Sequence, residues 1–263
     1  MKARTISQTF KNWTKYLWDW NKLKDPKPGM VELDLTNFCN ANCSWCCSWR
    51  EHKKEKCEMN TKVFFRELDI AIKNGYGIVF TGGGDPTLHS HFEDYVNMVV
   101  DYLNQGLIPS FALVTNGIES EKARYFIEHT SEPKSWIRIS LNYRKPSEAL
   151  VKLFHDYPKR IGLQLIYGNE DERILCEQNK RLLGDFSKFV KMNHANHYDI
   201  PHSKTHPNNC IGRKMHRVVE SDGVVAYCCQ ARGMQGGFPA ICPVECRWAD
   251  IQLEDAWEWN PFT

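Results

Sequence analysis

A regular alternation of short apolar segments and longer amphipathic segments occupies the middle of the chain. The apolar segments predict strands at 30–36, 77–82, 110–115, 136–141, 162–167 and 187–192. Apolar residues at helical spacing predict helices between them, at 60–74, 91–104, 120–129, 146–157 and 172–183. This order predicts an α/β fold with a parallel sheet and right-handed crossovers. Curled over, the sheet forms a partial (β/α)6 TIM-like barrel, in which chemistry collects at the carboxyl ends of the strands.

The segments on either side of this alternation have a different pattern. Residues 6–24 predict an amphipathic helix, and residues 253–260 predict a short one. Residues 216–229 predict a β-hairpin that turns at 221–223. We therefore expect three domains: an N-terminal helical extension, a partial barrel and a small C-terminal domain built on the hairpin, at 1–29, 30–193 and 194–263.

The overall composition is that of an ordinary globular protein, with 42% hydrophobic and 25% charged residues in a chain of 263. The sequence contains no apolar run long enough for a membrane span, and its first residues lack the apolar core of a signal peptide. A formal net charge of +2 gives no general reason to expect a nucleic-acid partner. We expect a cytoplasmic protein with neither a membrane nor a nucleic-acid partner.

Cysteine is the unusual component of this composition. The chain has 11 Cys, an odd number without an export signal, which argues against a disulfide framework and favours metal binding. Cys176 stands alone in the middle of the chain. The others form two groups, the first at Cys39, Cys43, Cys46, Cys47 and Cys57 and the second at Cys210, Cys228, Cys229, Cys242 and Cys246.

In the first group, Cys39, Cys43 and Cys46 form a C-x3-C-x2-C motif directly after the first predicted strand. Three thiolates on one loop can hold three irons of a [4Fe–4S] cube, so that the fourth iron stays open to a small chelating molecule. Electron carriers close the cube with four Cys, and structural zinc also takes four ligands. A zinc loop, a chance spacing and a register that ends at Cys47 are the alternatives.

This motif, with the aromatic Trp45 before Cys46, resembles that of the radical S-adenosylmethionine (radical SAM) family. The resemblance implies that SAM chelates the open iron of the cluster through its amino and carboxylate groups. One electron then cleaves SAM to methionine and a 5′-deoxyadenosyl radical, which abstracts hydrogen from a substrate. It also implies a flavodoxin- or ferredoxin-type electron donor. A non-catalytic iron–sulfur electron carrier is the alternative of another class.

Segments after the later strands resemble the same family. TGGGDPTLH (81–89) looks like the GGE motif, whose backbone binds the SAM amino group, although Asp stands where Glu is common. VTNG (114–117) follows the third strand, ISLNYR (139–144) is similar to the ribose motif, and IYGNED (166–171) loosely matches a segment that packs on adenine. Turn glycines and ordinary strand-end polar groups are the alternatives. The resemblance implies SAM contacts for Trp45, Gly82, Gly83, Gly84, Asp85, Ser140, Asn142 and Ile166.

The second cysteine group resembles the SPASM and twitch domains of radical SAM enzymes. Cys210, Gly223 and Cys228 form C-x12-G-x4-C, and no C-x2-C-x5-C run follows. The resemblance therefore implies a shortened, twitch-like domain with one auxiliary [4Fe–4S] cluster. A four-cysteine zinc site is the alternative. The implied ligands of this second cluster are Cys210, Cys228, Cys242 and Cys246.

Three thiols have no ligand role in this scheme: Cys57, Cys176 and Cys229. Each fits best as a small buried hydrophobe, and Cys229 is the candidate catalytic hydrogen donor. The family resemblance implies oxidation, crosslinking or epimerisation of a peptide. Dehydrogenation of a carbohydrate, an aminocyclitol or another small metabolite is the alternative.

Overall fold

A computed structural model describes residues 29–43, 46, 55–194 and 216–226. Within these ranges the chain forms one sheet of eight strands: β1 (Met30–Asp34), β2 (Gly77–Thr81), β3 (Phe111–Thr115), β4 (Ser135–Ser140), β5 (Ile161–Tyr167), β6 (Phe189–His194), β7 (His216–Val219) and β8 (Val225–Ala226). The first six strands are connected by α1 (Thr61–Asn74), α2 (Phe92–Asn104), α3 (Ser120–His129), α4 (Glu148–Asp156) and α5 (Glu170–Leu183).

The strand order is β6-β5-β4-β3-β2-β1-β7-β8. Strands β1 to β7 pair in parallel with their neighbours, and β8 pairs with β7 in the antiparallel direction. The sheet is open and does not close into a full barrel. This arrangement confirms the predicted α/β class and the partial TIM-like barrel.

The C-terminal hairpin is continuous with this sheet. β7 lies beside β1, with Met30 opposite His216 and Leu33 opposite Val219. The hairpin turns at residues 221–223, as the sequence predicted, and Gly223 takes a positive φ of 84° there. The limits of the three predicted domains stay predictions. The predicted helices at 6–24 and 253–260 lie outside the described residues.

The two faces of the sheet have different partners. On the helix face, alternate strand residues such as Leu33 and Phe80 pack against helix residues such as Phe64 and Val99 in one apolar core. The opposite, inner face has a small apolar floor, in which Trp136 is the largest side chain. No helix of the described ranges is long and apolar enough to cross a bilayer.

Polar residues occupy the rest of the inner face, because they alternate with the core residues along each strand. Glu32 and Asp34 lie on β1, Arg138 on β4, Gln164 on β5 and Lys191 on β6. Glu32 and Asp34 are buried, and the other three are half-buried. The inner face is therefore a polar surface above an apolar floor, next to the edge where the strands end.

Candidate active site

The loop that carries Cys39, Cys43 and Cys46 begins where β1 ends, and hydrogen bonds close it at its base. The Asn37 backbone N–H donates to the Cys57 carbonyl oxygen (3.2 Å), and the Cys57 N–H donates to Asn37 Oδ1 (2.9 Å). All three cysteines are half-buried. The loop therefore leaves and returns at one point of the carboxyl edge of the sheet.

The glycine-rich segment after β2 lies directly against this loop. The Gly84 N–H donates to the Thr36 carbonyl oxygen (2.7 Å), and the Asp85 N–H donates to the Phe38 carbonyl oxygen (2.8 Å). A Cβ on Gly84 would lie 2.0 Å from that Phe38 oxygen, so only glycine fits at this position. Gly83 takes a φ of +83° and lies against the Asp34 side chain. Close backbone approach explains the need for glycine in this segment.

The Asp85 carboxylate ties the end of β2 to the end of β3. It accepts hydrogen bonds from the Thr87 N–H (3.0 Å), the Thr87 hydroxyl (2.6 Å), the Thr115 hydroxyl (2.9 Å) and the Asn116 N–H (2.6 Å). Sequence reasoning missed this side-chain role. The Asp-Pro-Thr order, with an acceptor before Pro at a helix start, was the available signal. A contact of the residue 85 backbone with SAM stays a prediction.

Two asparagine amides face two of the cysteines. Asn116 Nδ2 lies 3.6 Å from Cys39 Sγ, and Asn142 Nδ2 lies 3.8 Å from Cys43 Sγ. Asn116 belongs to the VTNG segment, for which no role was predicted. Asn142 has a left-handed φ of 60°, and its buried Oδ1 has no hydrogen-bond partner among the described residues. This buried acceptor lies at the site, and a bound ligand could donate to it.

Arg144 and Asn179 hold the strand ends that carry these amides. Arg144 Nη2 donates to the carbonyl oxygens of Asn116 (2.8 Å) and Ser140 (3.0 Å). Asn179 Nδ2 donates to the carbonyl oxygen of Asn142 (3.1 Å). The surrounding structure therefore fixes the backbone of Asn142 in a conformation that non-glycine residues seldom adopt.

The electrostatics of the loop favour a neutral thiol when no cation is bound. Burial raises the pKa of Cys39 above its ordinary value, and the nearby Asp85 adds to this rise. The Ala41 N–H, which donates to Cys39 Sγ (3.4 Å), and the Asn116 amide act in the opposite direction. A metal bound at this sulfur would therefore displace its proton.

The donor set of the loop fits an iron–sulfur cube. Cys39, Cys43 and Cys46 are half-buried on one loop, and in a cube each thiolate binds its own iron.

The remaining predicted SAM contacts lie partly at the same edge. Ser140 is the last residue of β4, and its hydroxyl contacts Gln164 Oε1 (3.5 Å) on the inner face. Ile166 is half-buried near the end of β5. The structure therefore brings Ser140, Asn142 and Ile166 to the edge that carries the cysteine loop. Outside the described residues lie Trp45, Cys47, Cys210, Cys228, Cys229, Cys242 and Cys246.

Comparison with known proteins identifies the family to which this chain belongs. The family model of the Radical SAM superfamily matches residues 33–191, whereas a search of curated proteins gave no match. The fold is similar to BtrN in complex with AdoMet and 2-DOIA, with a TM-score of 0.53, 15% identity, and coverage of 90% of this chain and 85% of that chain. It is also similar to Streptococcus suis SuiB bound to precursor peptide SuiA, with a TM-score of 0.52, 13% identity, and coverage of 96% and 72%. Since the family match spans more than half of the sequence and includes the cysteine loop, this chain belongs to the radical SAM superfamily.

Proposed function

We propose that the chain cleaves SAM reductively and uses the 5′-deoxyadenosyl radical to abstract hydrogen from a substrate bound on the inner face. Membership of the superfamily implies an enzyme that uses a [4Fe–4S] cluster and SAM. The observation that carries the proposal is the meeting of three elements at one sheet edge. These are the cysteine loop after β1, the glycine segment after β2 and, after β4, the buried Asn142 Oδ1, to which no described residue donates a hydrogen bond.

Each element has a role in holding the reactants. Cys39, Cys43 and Cys46 would hold the cluster, which when bound supplies the electron that breaks the carbon–sulfur bond of SAM. The N–H groups of Gly84 and Asp85 are used to hold the cysteine loop, so the carbonyl oxygens of this segment are the groups suited to an ammonium. Asn142 Oδ1 would accept a hydrogen bond from a hydroxyl of the nucleotide ribose.

The inner face suggests the kind of substrate. Carboxylates lie on β1, at Glu32 and Asp34, and cations lie on β4 and β6, at Arg138 and Lys191. The peptide substrate implied by the sequence is supported by the similarity to SuiB, which is bound to a precursor peptide. The second candidate is a small polar metabolite, which the charges of both signs on this face favour.

The C-terminal segment would hold the auxiliary [4Fe–4S] cluster on Cys210, Cys228, Cys242 and Cys246. Two contacts support its position beside the first cluster. β7 pairs with β1, and Cys57 Sγ lies 3.5 Å from the Ser221 carbonyl oxygen in the hairpin turn. Iron and sulfide contents that match two cubes per chain would support this cluster. Iron and sulfide contents that match one cube, together with bound zinc, would show that the four C-terminal cysteines form a zinc site and not an auxiliary cluster.

One assay tests the reaction itself. Anaerobically reconstituted protein, dithionite and SAM should give 5′-deoxyadenosine, detected by chromatography. The control is the variant with Cys39, Cys43 and Cys46 all replaced by Ala. Equal product from both proteins would overturn the enzyme proposal and leave a non-catalytic electron carrier.

A second experiment separates the two substrate classes. Abstraction from a deuterated substrate places deuterium in 5′-deoxyadenosine, so extract from cells grown in deuterated medium is used as the substrate source. If the substrate is a peptide, protease digestion of the extract removes the deuterium transfer. If transfer persists in the protease-treated, small-molecule fraction, the substrate is a metabolite and the peptide proposal is wrong.

A further inference from the structure

Two uncharged side chains point their N–H groups at the sulfur atoms of two different ligand cysteines. Asn116, at the end of β3, reaches Cys39, and Asn142, after β4, reaches Cys43, with nitrogen–sulfur distances of 3.6 and 3.8 Å. The two asparagines are 9% and 5% exposed. The contacts are therefore shielded from water, which would otherwise weaken them.

The orientation of the Asn116 amide is fixed by its other hydrogen bonds. Its Oδ1 accepts from the Ile118 N–H (2.8 Å), and its Nδ2 also donates to Asn40 Oδ1 (2.8 Å). Because the oxygen has a backbone donor, the nitrogen must be the atom that faces Cys39. Asn142 is held through its backbone instead, by Asn179 and by its own N–H, which donates to the Gln164 carbonyl oxygen (3.2 Å).

We propose that Asn116 and Asn142 set the reduction potential of the SAM-binding cluster by donating N–H···S hydrogen bonds to its cysteine ligands. The inference rests on the proposed function, since it assumes a cluster on Cys39, Cys43 and Cys46. Reduction adds one negative charge, which spreads onto the ligand sulfurs. An N–H···S hydrogen bond is therefore stronger in the reduced state of the cluster, and it raises the reduction potential of the cluster.

The charge near these sulfurs also affects the reduction potential of the cluster. Asp85 lies beside this loop, where its N–H donates to the carbonyl oxygen of Phe38, the residue before Cys39 (2.8 Å), and its negative carboxylate acts against reduction. The Asn116 N–H that donates to Asp85 Oδ2 (2.6 Å) disperses part of that charge, and the Asn116 side chain donates to the sulfur directly. Asn116 therefore acts on the cluster through its backbone and its side chain together.

The test is a redox titration of the holoprotein in the absence of SAM. Electron paramagnetic resonance measures the fraction of reduced cluster at each potential. The variants are Asn116→Ala and Asn142→Gly, and glycine suits the positive φ of residue 142. Asn97→Ala is the matched control, because Asn97 Oδ1 accepts a hydrogen bond from the Tyr125 hydroxyl (2.9 Å) on the exposed surface of the helix layer. The signal that disappears in the variant with Ala at the three ligand cysteines identifies the cluster being titrated.

At a fixed potential, each variant should lower the ratio of reduced to oxidised cluster about tenfold. For a one-electron couple this corresponds to a reduction potential about 59 mV lower. The double variant should lower the reduction potential further, and Asn97→Ala should leave the potential unchanged. Unchanged potentials in both single variants would overturn the proposal. Because this titration uses no SAM, it can fail while 5′-deoxyadenosine still forms, or succeed where none forms.

A second variant and a second measurement cover the case in which Asn116→Ala does not take up iron. Asn116→Asp keeps the acceptor for Ile118 and replaces the amide donor with a charge, so it should shift the potential in the same direction and further. In the unmodified protein, exchange into heavy water should move the iron–sulfur bands of the resonance Raman spectrum, and the Asn142→Gly variant should show a smaller shift. The absence of any isotope shift in the unmodified protein would refute the hydrogen bonds.

Discussion

Replacing Asp85 with Ala tests whether this carboxylate is the internal tie between β2 and β3. The substitution removes the acceptor of two backbone N–H groups, those of Thr87 and Asn116, and of two hydroxyls, those of Thr87 and Thr115. The hydroxyls can rotate to other acceptors, whereas the backbone groups cannot. At about 2 kcal/mol for each buried, unsatisfied N–H group, the loss of unfolding free energy is about 4 kcal/mol.

Thermal unfolding under anaerobic conditions measures this loss. For a chain of this size, 1 kcal/mol shifts the Tm by roughly 2–4 °C, so Asp85→Ala should melt about 8–16 °C lower. Asp101→Ala is the control, because Asp101 is exposed on α2 and its carboxylate has no role in the site. The Asp85→Glu variant carries the residue common in the family and should be intermediate, because its longer side chain overshoots Asn116. An Asp85→Ala melting point within about 2 °C of the original protein would refute the reasoning.

Three further substitutions test other contacts. Gly84→Ala should reduce the iron bound per chain, because the new Cβ would meet the Phe38 carbonyl oxygen. Gly184→Ala is the control and should bind iron normally, because its Cβ would meet only side-chain atoms at ordinary distances. Arg217→Met should lower the unfolding free energy by about 3 kcal/mol in urea titrations, because Arg217 forms two hydrogen bonds with the fully buried Glu67. Arg66 also contacts Glu67 but is more exposed, so Arg66→Met should lower the unfolding free energy by less. Equal losses would contradict this account. Burial lowers the pKa of His89 below its ordinary 6.5, so the unfolded chain takes up the proton first and stability should fall as the pH drops below about 6.5. His89→Gln should flatten that pH dependence, and an unchanged profile would rule out His89 as its source.

The fold could be read from the sequence because each strand and helix has a strong local pattern. β1 to β5 are largely buried apolar segments, and β6 is a half-exposed strand at the sheet edge. Amphipathic helices separate these strands, so period and length were sufficient to identify them. Cys176 was expected as a small buried hydrophobe. It is fully buried, and burial raises its pKa to about 12, which keeps it a neutral thiol.

The contacts that the sequence did not reveal join residues that are distant in the chain. The pairing of β7 with β1 and the ion pair of Arg217 with Glu67 depend on the sheet order, which no local pattern records. The same holds for the site. The cysteine spacing indicated the ligands, but the Asn116 amide reaches Cys39 only because β3 ends beside the loop that follows β1.

The position of β1 between β2 and β7 has a consequence for synthesis of the protein. β2 follows β1 closely in the chain, but β7 begins only at residue 216, so a growing chain must leave one side of β1 unpaired until most of it has left the ribosome. During that interval the strand that leads into the cysteine loop is an exposed sheet edge, open to pairing with another chain. A product truncated before residue 216 would keep that edge permanently and should aggregate.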